Sequence, residues 1–173
     1  GGKITVEPVY VVNGDVNLKT GNVLFLGTVM VKGNVTDGFN VKASGNIEVM
    51  GNVGKSQLDS EGDIIVHQGV AGKNEGVVRC GGSLWSKFIE NVRVESGGLV
   101  VVSDGIINSE VYANRKVICR GKRASIVGGQ VRAAEEIDAK ALGSVAGTET
   151  VLEVGYDPKS RERYDELTAK IEE

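Results

Sequence analysis

The chain is predicted to fold as an all-β protein, a three-sided parallel β-solenoid of about eight coils followed by a short C-terminal helix. Three observations predict it. A glycine triplet recurs, β-branched residues follow a six-residue beat, and two apolar columns follow a longer period near eighteen in step with each other.

The triplet is Gly, then Asn or Asp, then Val or Ile. It occurs at Gly14-Asp15-Val16, Gly21-Asn22-Val23, Gly33-Asn34-Val35, Gly45-Asn46-Ile47, Gly51-Asn52-Val53 and Gly62-Asp63-Ile64. Val23, Val29, Val35, Val41, Ile47 and Val53 are each six residues apart, which is not a helical period. Short alternating stretches such as Ile47-Glu48-Val49 read as strands separated by turns.

Three such strands make one coil. One column runs through Val41, Leu58, Val78, Val94, Val111 and Val131, with steps of 17, 20, 16, 17 and 20. A second runs through Ile47, Ile64, Leu84, Leu99, Val117 and Ile137, with steps of 17, 20, 15, 18 and 20. An insertion at a corner shifts everything after it, so columns on different sides must lengthen together. A third column, Val53, Val70, Ile89 and Ile106, is harder to follow beyond Ile126.

Composition fits this arrangement. Among 173 residues there are 25 glycines, 2 prolines and only 5% aromatic residues, so the core must be filled by β-branched and small side chains. Coils spaced about 4.8 Å apart bond backbone to backbone, and inward Val and Ile stack into a dry core. Glycine belongs at corners, where the chain turns with positive φ or backbones come close. The adjacent Asn or Asp is expected to bond the turn or to adopt the left-handed conformation itself.

The ends are expected to differ from the repeat. Residues 1–13 read as an N-terminal strand and cap, with Pro8 at an edge, and 14–156 as the solenoid. From Asp157-Pro158 the chain is expected to be helical through 173, with Tyr164, Leu167 and Ile171 beginning a coiled-coil stripe. A solvated helix is the plainer alternative.

The formal charge of −3 provides no field for nucleic acid or an anionic membrane. No apolar run approaches a membrane span and no secretory leader pattern opens the chain, so the expected compartment is the cytoplasm. Cys80 and Cys119 lack metal or redox spacing and read as buried free thiols.

Catalytic, cofactor and metal residues are all expected to be absent. The single histidine, His67, should face outward, where a left-handed hexapeptide-type acyltransferase would need a base in a cleft. A carbohydrate-active β-helix needs paired acids; Glu48 and Asp63 fall on neighbouring coils but read as surface acids. The one charge cluster is Arg115, Lys116, Arg120, Lys122 and Arg123, a candidate patch for a partner. A solvated face balanced by Glu110 and Glu135 is the weightier reading.

Several segments resemble, in order, the β-solenoid domain of the bacterial flagellar assembly protein A (FapA) family. They are Phe88-Ile89-Glu90-Asn91, the Ser109–Ala113 segment Ser-Glu-Val-Tyr-Ala, Ile126-Val127-Gly128-Gly129, Leu142-Gly143-Ser144 and Thr150-Val151-Leu152-Glu153-Val154-Gly155. The coils are also similar to the C-terminal domain of the division inhibitor MinC. The resemblance implies right-handed winding, which the general preference of parallel crossovers also favours. It further implies a coiled coil after the solenoid, so that the chain is a central portion of a longer protein. The role it implies is cytoplasmic and non-catalytic, a scaffold in flagellar assembly or polar organisation that binds protein partners and copies of itself. A hexapeptide-type or carbohydrate-active enzyme and a bactofilin-like polymer are the alternatives.

Overall fold

The computed structural model describes residues 7–143 and 149–155. Its strands are β1 (Val9–Val12), β2 (Val23–Phe25), β3 (Thr28–Val31), β4 (Val41–Ala43), β5 (Ile47–Val49), β6 (Gln57–Ser60) and β7 (Ile64–Cys80). They continue as β8 (Leu84–Ser96), β9 (Val100–Ala113), β10 (Lys116–Cys119), β11 (Ser125–Ala133), β12 (Glu136–Ala139), β13 (Leu142–Gly143) and β14 (Thr150–Val154). Every pairing between them is parallel.

The chain winds through three stacked faces as an all-β parallel solenoid of about eight turns. Face one stacks β1, β3, β5, the starts of β7, β8 and β9, then β10 and β12. Face two begins with the single bridges Val16–Val35, Val35–Val53 and Val53–Val70, and continues through Ile89, Ile106, Ile126 and Leu142. Face three stacks β2, β4, β6, the ends of β7, β8, β9 and β11, and β14. Long strands such as β7 pass along more than one face, bending at the corners.

The first predicted column is borne out rung by rung: Val41, Leu58, Val78, Val94, Val111 and Val131 pair in that order and are all buried. The second needs one correction. Leu84 pairs with Val100, not Leu99, and Val100 in turn with Val117. Leu99 is half-buried at the corner while Val100 is fully buried, because a one-residue slip carries a side chain to the opposite side of the strand. With Val100 in place the steps become 17, 20, 16, 17 and 20, identical to those of the first column. The third column continues through Ile126 to Leu142.

The insertions sit at two corners. One lies where the pairing of β7 with β8 shifts register between Ala71 and Gly76, with Lys73 and Asn74 left-handed. The other is the turn over 120–124, between β10 and β11. At the N-terminal end, β1 is an edge strand bonded only to β3, and the rings of Tyr10 and Phe25, 5.6 Å apart, close the first rung.

The triplet Asn and Asp residues do something other than turn the chain. None of them has positive φ; among the described non-glycine residues the left-handed ones are Lys73, Asn74, Asn91 and Asn108. Their side chains bond the next coil instead. Asp15 Oδ1 accepts the Asn34 N–H and Asn34 Oδ1 accepts the Asn52 N–H, both at 2.7 Å. At another corner Asn46 Oδ1 accepts the Asp63 N–H at 2.8 Å, Asp63 Oδ1 the Ser83 N–H at 2.8 Å, and Ser83 Oγ the Leu99 N–H at 2.9 Å. These ladders satisfy backbone donors that the corner removes from the sheet.

They also explain the neighbouring glycine. A Cβ on Gly62 would lie 2.2 Å from Asn46 Oδ1, with its next neighbours, Gly45 backbone atoms, at 3.0 and 3.2 Å. The two positions should therefore be coupled. Asn46→Ala is expected to cost about 1 kcal/mol for the lost bond, and Gly62→Ala about 2 kcal/mol for the collision. The double variant should cost less than the sum by roughly 0.5 kcal/mol or more, measured by urea unfolding in a double-mutant cycle. Strict additivity would refute the filled-corner account.

Candidate interaction surface

With apolar side chains inside, the chemistry of this molecule lies in the outward columns. Face three carries Lys42, Asp59, Arg79, Glu95, Tyr112, Arg132 and Glu153 in register, one per coil. Arg79 Nε lies 2.5 Å from Glu95 Oε2, and Arg93 reaches Glu95 at 3.4 Å and Glu110 at 3.6 Å. The hydrogen bond from Arg79 holds the Glu95 carboxyl below its ordinary range. The guanidinium groups of Arg93 and Arg132 lie 5.5 and 5.4 Å from the centre of the Tyr112 ring. At its C-terminal end the column closes on a buried ion pair, Arg132 Nε to Glu153 Oε2 at 2.8 Å. Residues around Arg79, Glu95 and Tyr112 line a shallow groove of about 450 Å³.

Face one has the opposite character. Its central outward column reads Ile65, Trp85, Val101 and Ile118 on four successive coils. Ile65, Val101 and Ile118 are half-buried and Trp85 is 37% exposed. Val11 and Met30 begin the same column, Glu48 separates them from Ile65, and Asp138 ends it.

The basic cluster is split between two corners at opposite ends of β10. Arg115 lies 3.7 Å from Glu135, and Lys116 stands beside Glu136 on the next rung. Arg120 lies 3.5 Å from Asp138, and the Lys122 carbonyl accepts a bond from Lys140 Nζ at 3.2 Å. Lys122 and Arg123 occupy the inserted turn over 120–124. Glu135 is thus one of the balancing acids, whereas Glu110 meets Arg93 instead. Tyr164, Leu167 and Ile171, and the helix expected over 157–173, lie outside the described residues.

His67 faces outward, its Nε2 2.6 Å from Glu48 Oε2 on the preceding coil. Asp63 is used in the corner ladder, so Glu48 and Asp63 serve different neighbours. Among the described residues no group of three or more His, Cys, Asp or Glu could hold a metal ion. Both cysteines are free and buried, and burial pushes the Cys119 thiol up to about 11.

Sequence reasoning missed the face-one column although it left a signal. In Ile64-Ile65-Val66, Val100-Val101-Val102 and Val117-Ile118-Cys119 the alternation fails, and an apolar residue stands where a surface strand should carry a polar one. Read one at a time, such triplets look like wholly buried strands. Aligned by coil, they mark an exterior stripe.

These features define a class: a minimal-coil parallel β-solenoid whose distinguishing chemistry is spread over flat outer faces, one charged and one apolar. Within that class the chain belongs to the flagellar assembly protein A family, whose β-solenoid domain model matches residues 8–173. No curated protein and no solved structure matches the chain. Among the described residues no helix is long and apolar enough to cross a membrane.

Proposed function

We propose that the chain is a non-catalytic scaffold module in flagellar assembly, acting in the cytoplasm by presenting solenoid faces to protein partners and to copies of itself. Family membership supports the link to flagellar assembly. The observation that carries the scaffold reading is the in-register column Ile65, Trp85, Val101 and Ile118. A flat row of apolar side chains suits a protein surface, whereas small-molecule chemistry is favoured by an enclosed pocket with converging polar groups. The His67–Glu48 pair lies on the same open face, without enclosing walls around it.

The test is complementation in a flagellated host that lacks the gene, with flagella counted by electron microscopy. A His67→Asn, Glu48→Gln double variant is expected to restore assembly as fully as the unaltered chain. Loss of assembly with the fold and self-association both intact would overturn the non-catalytic reading.

A further inference from the structure

We propose that face one is a dimer surface on which a second copy of this chain lies parallel to the first, rung against rung, about a two-fold axis running along the solenoid. The proposal rests on the scaffold reading and names the surface and the occupant.

The stripe selects its occupant by its spacing. Ile65, Trp85, Val101 and Ile118 stand in register on successive coils about 4.8 Å apart. A helix places its apolar residues at a different interval and meets such a row only intermittently. A second copy of the same face repeats at the same interval, so every side chain finds a partner.

The full area and the apolar match are obtained together only when the rods run the same way. Eight rungs at about 4.8 Å and three outward columns about 6.7 Å apart make a face roughly 35 Å by 17 Å; a matched pair buries on the order of 1,200 Å², the lower end of stable interfaces. In the parallel arrangement all eight rungs overlap, so Val11 and Met30 are covered together with the central stripe. An antiparallel pair centred between Trp85 and Val101 leaves those two rungs overhanging.

The flanks favour the same arrangement. On one side of the stripe stand His67, Lys87 and Lys140; on the other, at matching rungs, stand Asp63, Ser83 and Glu136. A two-fold axis along the rod sets each flank against the opposite flank of the partner. Lys140 then faces Glu136, His67 faces Asp63 and Lys87 faces Ser83. Arg120 faces Lys116, and the Arg120 charge is already met by Asp138 at 3.5 Å. Glu48 and Asp138 meet carboxylates in either orientation, and each carries its own bridge, to His67 and to Arg120.

Crosslinking of variants that each add one exposed cysteine to the two buried ones tests register and face together. Packed sheets stand about 10 Å apart, too far for a disulfide, so a short bismaleimide is the reagent. Val101→Cys and Ile118→Cys should each give a covalent dimer alone, because a residue of the central column meets its own copy across the axis. The unaltered chain, with both thiols buried, and Leu24→Cys on face three should not. Sedimentation equilibrium of Trp85→Lys should show a dimer dissociation constant raised 100-fold or more, with the β-sheet circular dichroism unchanged.

A chain that stays monomeric up to about 100 μM would overturn the proposal. So would a dimer captured only when Ile65→Cys is mixed with Ile118→Cys, which is the antiparallel register, or one captured through Leu24→Cys. A monomer that still restores flagella in the host would remove the pairing and leave the scaffold reading standing.

Discussion

Gly97→Ala is expected to destabilise the solenoid by about 3 kcal/mol, while Gly14→Ala is expected to leave it unchanged or more stable by roughly 0.5 kcal/mol. Both glycines lie at coil corners, and their backbones are ordinary for an L-residue. What differs is the space around them. A Cβ on Gly97 would lie 2.1 Å from the Gly81 carbonyl oxygen and 2.9 Å from its carbon, both backbone atoms. Those atoms cannot retreat, because Gly97 N–H bonds the Cys80 carbonyl at 2.9 Å and Gly98 N–H the Gly82 carbonyl at 2.8 Å. A Cβ on Gly14 meets nothing within 4 Å, so alanine there only restricts the unfolded chain. Gly38 isolates the remaining effect: its φ is +87° in open space, and Gly38→Ala should cost about 1 kcal/mol from backbone strain alone. Urea unfolding followed by circular dichroism ranks the three. Equal losses would mean that coil separation does not determine where glycine is required.

The second large effect concerns the buried pair at the C-terminal end of face three. Arg132→Met is expected to cost about 3–5 kcal/mol, because it leaves the Glu153 carboxylate buried without its cation. The side chains are only 6% and 3% exposed, so solvent cannot replace the guanidinium. Adding Glu153→Leu should recover most of the loss, since an apolar pair of similar size removes the desolvation cost on both sides. Hydrogen exchange in β11 and β14 reads the effect locally, as coils respond chiefly through their neighbours. If the double variant is no more stable than Arg132→Met, the charge pair is not what holds β14 to β11.

The three faces were legible in the sequence because one inward column on each carries only Val, Ile and Leu, and insertions displaced two of these columns together. The misplaced rung, Leu99 for Val100, arose where two apolar residues adjoin at a corner and hydrophobicity alone cannot choose between them. The role of the triplet Asn residues was hidden for a different reason. Their bonds span coils some 17 to 20 residues apart, and turn chemistry reasons only over local neighbours. The surface was less legible than the core. Arg115 and Arg123 look like one cluster along the chain, but β10 carries the first to one corner and the inserted turn carries the other beyond the next. The apolar exterior stripe emerges only when residues from four coils are aligned.

The corner ladders give the stack a direction. In each of those traced, from Asp15 to Asn34 to Asn52 and from Asn46 through Asp63 and Ser83 to Leu99, the earlier coil supplies the accepting oxygen and the later coil the N–H. Synthesis runs from the N-terminus, so the oxygens are in place before the amides that will use them. A waiting oxygen remains hydrated at little cost, whereas the arriving amide finds a positioned partner and is set in register. Each finished coil is thus a template for the next, and the rod is built to grow in the order in which a ribosome delivers it.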